Sequence, residues 1–181
     1  LKSEDSKEYA IVLNNEAILF AEMGRFDDAI SNLNRAVTII DAAKNKSAAI
    51  QLGLKSNLAL LYQRTNKLVE AEAIYLKLEK ELEGWFGSNN PYYAGVLNNL
   101  AMVYVQMNKP EKVEDYLKRA ATLYKTKFGE ESPSYAKVIG HQGWYYRRTK
   151  RYAEAEPLLV RTFEIREKTL GTDHPDYVHS R

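Results

Sequence analysis

The feature that most constrains this chain is an internal repeat with a period of 42 residues. Residues 14–17 read NNEA, 56–59 read SNLA and 98–101 read NNLA, and the same step leads to GHQG at 140–143. Periods of this length are typical of arrays in which each copy packs against its neighbours. We therefore predict one array over residues 1–181, with repeats at about 8–49, 50–91, 92–133 and 134–175 and the start of a further helix at 176–181.

The spacing of apolar residues inside each copy is helical. In the third copy, apolar positions recur at steps of three and four from Val96 to Val105, and again from Val113 to Ala121. Pro110 stands between the two runs and suits a first helical turn, where its missing N–H is not needed. Each copy is predicted to be a helix, a tight turn, a second helix and a Gly/Pro loop. Because such a hairpin cannot bury its apolar face alone, stacking of copies into an all-α solenoid is expected.

The order of residues within a copy resembles the tetratricopeptide repeat. A small residue is followed by an aromatic three positions on, then by a turn, an alanine and a large apolar residue. That repeat usually has about 34 residues, and the 42-residue copies with AEAEPL, EIREKTLG and DHPD in the last one are similar to kinesin light chains and related bacterial proteins. The resemblance implies a right-handed α-solenoid of four hairpins plus the start of a further helix. HEAT-type repeats share the period and remain an alternative, and we expect the chain to be part of a longer protein.

The resemblance also implies a function, namely a protein–protein interaction scaffold whose concave face binds an extended peptide. The alternative is a regulatory or sensor module of a larger multidomain protein. The groove would be lined by the positions on either side of the small residue. These positions hold Asn14, Ser56, Asn98 and Gly140, then Asn15, Asn57, Asn99 and His141, and after the small residue Ile18, Leu60, Met102 and Trp144.

Asparagine suits such a groove because its amide carries both a donor and an acceptor and can bond a peptide backbone without reading side chains. Related arrays use it to hold a terminal carboxylate. The same asparagines could instead bond the backbone of a neighbouring helix, and Met102 and Trp144 could be core residues. Both interpretations of Asn57 and Asn99 are therefore kept open.

A basic cluster gives a second indication about the partner. The stretch from Lys137 to Arg151 contains five basic residues and no acidic one. If these side chains face the groove, an acidic segment or one with a free C-terminal carboxylate is the natural guest, although a solvated basic helix would look the same. The predicted peptide-binding residues are Asn57, Asn99, Asn98, Asn15, Met102, Trp144, His141, Arg64, Lys137, Arg147 and Arg148.

Composition and motifs favour no catalytic function. The formal net charge is +2, and there is no Cys to form a disulfide, ligate zinc or act as a nucleophile. The three histidines have no companion carboxylate at metal-ligand spacing, and no phosphate loop or nucleophile elbow is present. We therefore expect no enzyme activity, no cofactor, no bound metal and no membrane partner. Nucleic acid is not favoured either, because most of the 13 Tyr recur at core positions.

Overall fold

The computed structural model describes residues 7–43, 47–87 and 89–170, and it contains eight α-helices within those ranges. The part of the chain predicted to start a further helix, 176–181, lies outside the described residues. The helices are α1 (Lys7–Glu22), α2 (Phe26–Ala42), α3 (Ala48–Arg64), α4 (Leu68–Phe86), α5 (Pro91–Gln106), α6 (Pro110–Phe128), α7 (Pro133–Arg148) and α8 (Tyr152–Leu170).

The predicted all-α fold is confirmed. The second helix of each pair begins at an interval of 42 residues, at Phe26, Leu68, Pro110 and Tyr152. The helices form two compact units, the first running from α1 through α4 to Trp85 and the second from Phe86 through α5 to α8. We refer to these as unit 1 and unit 2.

The tight turn inside each hairpin has the same structure in all four copies. One residue adopts a left-handed conformation, with φ of +75° at Gly24, +61° at Asn66, +55° at Asn108 and +62° at Lys150. Glycine tolerates this conformation and asparagine is enriched in it, whereas a lysine is strained there. Three of the four copies therefore have a residue suited to this conformation at the turn, and the last copy, with Lys150, does not.

A basic residue follows each left-handed residue and closes the turn in two ways. In the first copy, the Arg25 N–H donates to the Phe20 carbonyl at 2.8 Å, and the guanidinium lies 4.3 Å from the centre of the Phe20 ring. In the last copy, Arg151 repeats both contacts with Tyr146, at 2.8 and 4.3 Å. The hydrogen bond satisfies a carbonyl that the end of the first helix would leave unpaired, and the ring adds a cation–π contact.

The loops between repeats in unit 2 begin and end with residues suited to helix termini. Gly129 follows α6 with φ +83°, and Pro133 occupies the first turn of α7. Between them the Ser132 hydroxyl accepts a hydrogen bond from the Tyr135 N–H, and the Asn90 side chain caps α5 through the Tyr92 N–H in the same way. These caps explain the Gly/Pro loop pattern of the sequence.

The recurring small and large apolar residues form the cores. Ala17 and Leu33 belong to the buried core of unit 1, and Ala136, Ile139 and Ile165 form a buried cluster in unit 2. Gly143 takes the place of the small residue in the last copy. A Cβ there would lie 2.8 Å from Cγ of Leu159, so the close approach of α7 and α8 explains the missing side chain.

One core position of unit 1 is ionic. Lys55 is 4% exposed, and its ammonium lies 3.1 Å from carboxylate oxygens of both Asp41 and Glu81. Gln51 donates a further hydrogen bond to Asp41 at 2.8 Å. The positions of Lys55 and Glu81 are apolar in the other three copies, where the pairs are Leu13 and Ile39, Leu97 and Leu123, and Ile139 and Ile165.

Candidate functional site

The first helices of unit 1 are joined by an amide hydrogen bond on the face that the sequence assigns to the groove. The Asn57 amide nitrogen on α3 donates to the Asn14 side-chain oxygen on α1 at 2.8 Å. Asn14 in turn donates to the exposed Asn15 at 3.4 Å. The asparagines of successive copies therefore contact each other directly, through their side chains and not through the backbone of the neighbouring helix as the sequence interpretation had it.

Unit 2 repeats this arrangement at the equivalent positions two copies later. The oxygen of Asn98 on α5 lies 2.7 Å from Nδ1 of His141 on α7, and the Asn98 amide nitrogen donates to Asn99 at 3.3 Å. Asn98 is 2% exposed, whereas Asn99 and His141 are half-buried. Asn98 thus lies beneath the surface and orients its two neighbours.

The contact with Asn98 determines which nitrogen of the His141 ring carries the proton. A carboxamide oxygen only accepts, so Nδ1 must carry the proton. Burial, together with the positive charges of Lys137 and Arg166, lowers the pKa of His141 to about 4. At neutral pH the ring is therefore uncharged, and its Nε2 is a hydrogen-bond acceptor in basic surroundings.

Two adjoining cavities lie between α1 and α3 in unit 1. One has a volume of about 220 Å³ and the other about 160 Å³, and Asn57 lines both. Their walls are mainly aliphatic, and Ile11, Ile18 and Leu60 there are 43%, 45% and 48% exposed. Together they form a groove with an amide at its middle, which we call the α1–α3 groove.

Arg64 and Glu22 place charge at one end of that groove. Both line the larger cavity. The Arg64 guanidinium also lies 5.5 Å from the centre of the Phe26 ring, which holds it close to the protein surface. Arg64 and Asn57, which were both predicted from the sequence to bind peptide, thus line the same cavity.

The other three basic residues predicted for the site lie on α7. Lys137, Arg147 and Arg148 are exposed, and the Arg148 guanidinium lies 5.6 Å from the centre of the half-buried Trp144 ring. Met102 on α5 is also half-buried. Neither α5 nor α7 contains an acidic residue. Because α5 has no basic residue either, the positive charge lies on α7 alone.

Sequence reasoning missed the residues at the other end of the α1–α3 groove. Ile11 and Gly53 line the smaller cavity, and each lies one helical turn before Asn15 or Asn57 in its copy. Residues four apart share a helix face, so this spacing was the signal that could have found them.

Within the described ranges, no three His, Cys, Asp or Glu side chains are grouped so as to hold a metal ion. Of the helices described here, none has the length and apolar character needed to cross a membrane.

The tetratricopeptide repeat family matches this sequence at residues 47–126 and again at residues 142–176. No curated protein matches the sequence. Among solved structures, BtubC (BKLC) from P. vanneervenii is similar with a TM-score of 0.80 and 26% identity, over 91% of this chain and 65% of BtubC. This chain thus spans less than two thirds of the length of that relative.

Two further structures are similar at lower identity. A candidate kinesin light chain from Podosopora anserina with nearly identical TPR-like repeats has a TM-score of 0.77 and 20% identity, over 97% of this chain and 83% of that one. The apo form of RapI has a TM-score of 0.77 and 14% identity, over 90% and 57% of the two chains. These two likenesses concern the fold, an all-α repeat solenoid.

Proposed function

Because this chain belongs to the tetratricopeptide repeat family, with copies of the kinesin-light-chain-like type, we propose that it is a non-catalytic scaffold that binds an extended peptide segment of a partner protein along its first helices. The observation that carries the proposal is the α1–α3 groove. Exposed aliphatic side chains on both walls and a central amide are what an extended segment needs, since they can bury side chains and bond a backbone at once.

The chemistry of α7 supports a more specific partner. Lys137, Arg147 and Arg148 are exposed on a helix without acidic residues, and Trp144 offers an apolar surface beside Arg148. Guanidinium groups bind carboxylates through paired, charge-assisted hydrogen bonds. We therefore propose that the segment bound by unit 2 is acidic or ends in a free C-terminal carboxylate.

The proposal is tested with an array of immobilised peptides, probed with the purified chain and with an Asn57→Ala/Asn99→Ala variant. Each lost hydrogen bond to a peptide backbone is worth about 1 kcal/mol, so loss of two such bonds in the double variant should weaken binding of the best peptides by about thirtyfold. Since Asn57 also bonds Asn14, a small drop in Tm is expected as well.

An Asn32→Ala variant provides the matched control. Asn32 donates to Glu16 at 2.9 Å, so this change also removes an amide contact between helices of unit 1 but leaves the groove residues intact. Binding by this variant should equal that of the unmodified chain. If the array yields no peptide whose binding depends on Asn57 and Asn99, the groove is not the binding site and the proposal is wrong.

A further inference from the structure

The two cavities of the α1–α3 groove are spaced by two helical turns. Ile11 and Gly53 line the smaller cavity. Ile18 and Leu60, each seven residues further along the same helix, line the larger one. A rise of 1.5 Å per residue places the two cavities about 10.5 Å apart. Each volume is below the roughly 300 Å³ at which pockets begin to enclose whole ligands, so each cavity has the size of a single side-chain subsite.

The walls of both cavities define the kind of side chain that fits. The described lining residues are aliphatic apart from Gly53, Asn14 and Asn57, and Glu22 and Arg64 at one end. Among the residues that the structure describes, no aromatic ring lines either cavity. Aliphatic side chains of leucine size would therefore bury apolar surface against apolar walls without leaving a polar group unpaired.

The hydrogen bonds of Asn57 indicate what lies between those side chains. One amide hydrogen is used by Asn14, which leaves one N–H and the carbonyl oxygen of Asn57 for a ligand. An extended backbone offers a complementary carbonyl and N–H at each residue. In the middle of a helical ligand the backbone N–H and carbonyl groups already bond each other. Such a ligand would bury the Asn57 amide without giving it a partner, which is unfavourable.

Gly53 adds room to the smaller cavity, because it has no side chain to fill the space beside α3. It lies in the interior of α3, where glycine is less favourable than alanine, and a Cβ there would meet no atom within 4 Å. The equivalent glycine of the next copy, Gly95, is explained by the Tyr124 hydroxyl, 3.1 Å from where its Cβ would be. No such neighbour accounts for Gly53, and what its missing side chain leaves is open space in the smaller cavity.

We propose that the α1–α3 groove binds an extended segment carrying two aliphatic side chains three residues apart, one in each cavity, with the intervening backbone bonded to Asn57. This inference rests on the proposed function and names the sequence requirement of unit 1. In the polyproline II conformation, residues i and i+3 face the same side and lie about 9.3 Å apart, which matches the cavity spacing. In a β-strand, same-side residues lie about 6.7 or 13.4 Å apart, which does not.

The first test uses terminally blocked peptides with two leucines in a proline- and alanine-rich background, at spacings of i+2, i+3, i+4 and i+7. Binding is followed by NMR through the methyl signals of Ile11, Ile18 and Leu60. The i+3 peptide should bind about tenfold more tightly than the others, because only it buries both leucines. Equal affinity across the series, or preference for i+7 as in a helical ligand, overturns the inference.

The second test fills the smaller cavity with Gly53→Leu and compares it with Gly84→Leu. Gly84 is also a helical glycine whose Cβ would meet nothing within 4 Å, but it lies on α4 and lines neither cavity. Both variants should unfold at a Tm no lower than that of the unmodified chain, because leucine is the better helix former. Only Gly53→Leu should weaken binding of the i+3 peptide, again by about tenfold.

The results separate the two proposals. If peptides bind in an Asn57-dependent manner but ignore leucine spacing and the Gly53→Leu change, the scaffold function stands and the i+3 inference is wrong. If no peptide in the series shifts the groove methyl signals while the peptide array does yield Asn57-dependent ligands, the inference fails again and the function does not. If neither experiment yields an Asn57-dependent ligand, both proposals fail.

Discussion

At the scale of single residues, the replacement with the clearest physical consequence is His141, which departs from the residue that the other copies share. It stands where the other three copies carry asparagine, and it keeps the asparagine-like contact with Asn98 through Nδ1. Unlike an amide, however, an imidazole titrates. Its pKa lies at about 4, lowered by burial and by Lys137 and Arg166, so the folded protein takes up this proton less readily than the unfolded chain does.

This predicts a pH dependence of stability. As pH falls from about 6.5, the usual pKa of histidine, towards 4, the unfolded chain is protonated at residue 141 before the folded one, and the free energy of unfolding decreases. His141→Asn keeps a donor to Asn98 but removes the titration. The Tm advantage of this variant over the unmodified chain should therefore grow between pH 6.5 and 4, as measured by thermal unfolding in a pH series. Parallel profiles for the two proteins would show that His141 is not protected from protonation.

At the scale of elements, the ionic pair in the second copy replaces an apolar pair at the same two positions of the other copies. Lys55 on α3 and Glu81 on α4 lie in contact, with Asp41 of α2 as a second partner for the ammonium. A buried ion pair often gives no more stability than a well-packed apolar pair of similar volume, but loss of one partner leaves an uncompensated charge. The pair therefore makes the contacts of α3 with α4, and with α2 of the preceding copy, different from the equivalent contacts elsewhere in the described residues.

The prediction is a double-mutant cycle in which the single changes are harmful and the double change is not. Lys55→Leu alone should lower the free energy of unfolding by about 1–3 kcal/mol, because the Asp41 and Glu81 carboxylates then lose the ammonium between them. Glu81→Leu alone should lower it by less, because Lys55 keeps Asp41 as a partner. The Lys55→Leu/Glu81→Leu variant, which restores the leucine pair of the third copy, should be as stable as the unmodified chain or more so. Urea unfolding measures all four proteins, and additive losses in the double variant would contradict the expected coupling.

At the scale of the whole molecule, charge is balanced in total but not in distribution. There are 26 basic and 24 acidic residues, yet α5 and α7 have no acidic residue at all. The small net charge of +2 thus coexists with a local positive surface formed by Lys137, Arg147 and Arg148. Exposed charges of this kind act through water and are screened by salt.

The expected consequence is salt-sensitive binding of acidic peptides. Raising the ionic strength from about 0.05 to 0.5 M should weaken their binding several-fold, and an Arg147→Ala/Arg148→Ala variant should bind weakly at both. A Lys80→Ala/Lys127→Ala variant loses two exposed charges on α4 and α6 and should keep the salt dependence. Peptide titrations followed by fluorescence anisotropy measure this, and an acidic peptide indifferent to both salt and Arg147/Arg148 would rule out the basic surface as its site.

The sequence by itself determined the local features of this protein. A 42-residue period with helical apolar spacing was enough to predict helical hairpins, because the spacing of apolar residues sets which face of each helix is buried. It also placed Asn57, Arg64 and Trp144 on first helices, because the small residue and the aromatic three positions later mark the register of each copy.

Only the tertiary structure decided which side chains meet. The Asn14–Asn57 and Asn98–His141 contacts join residues 43 positions apart, and the Lys55 contacts bring together three helices. Such pairings depend on how one helix lies against the next, and no periodicity within a helix encodes that. The same reason explains Gly53 and Gly95: they occupy equivalent positions and read alike in the sequence, but packing places Tyr124 against one and open space beside the other.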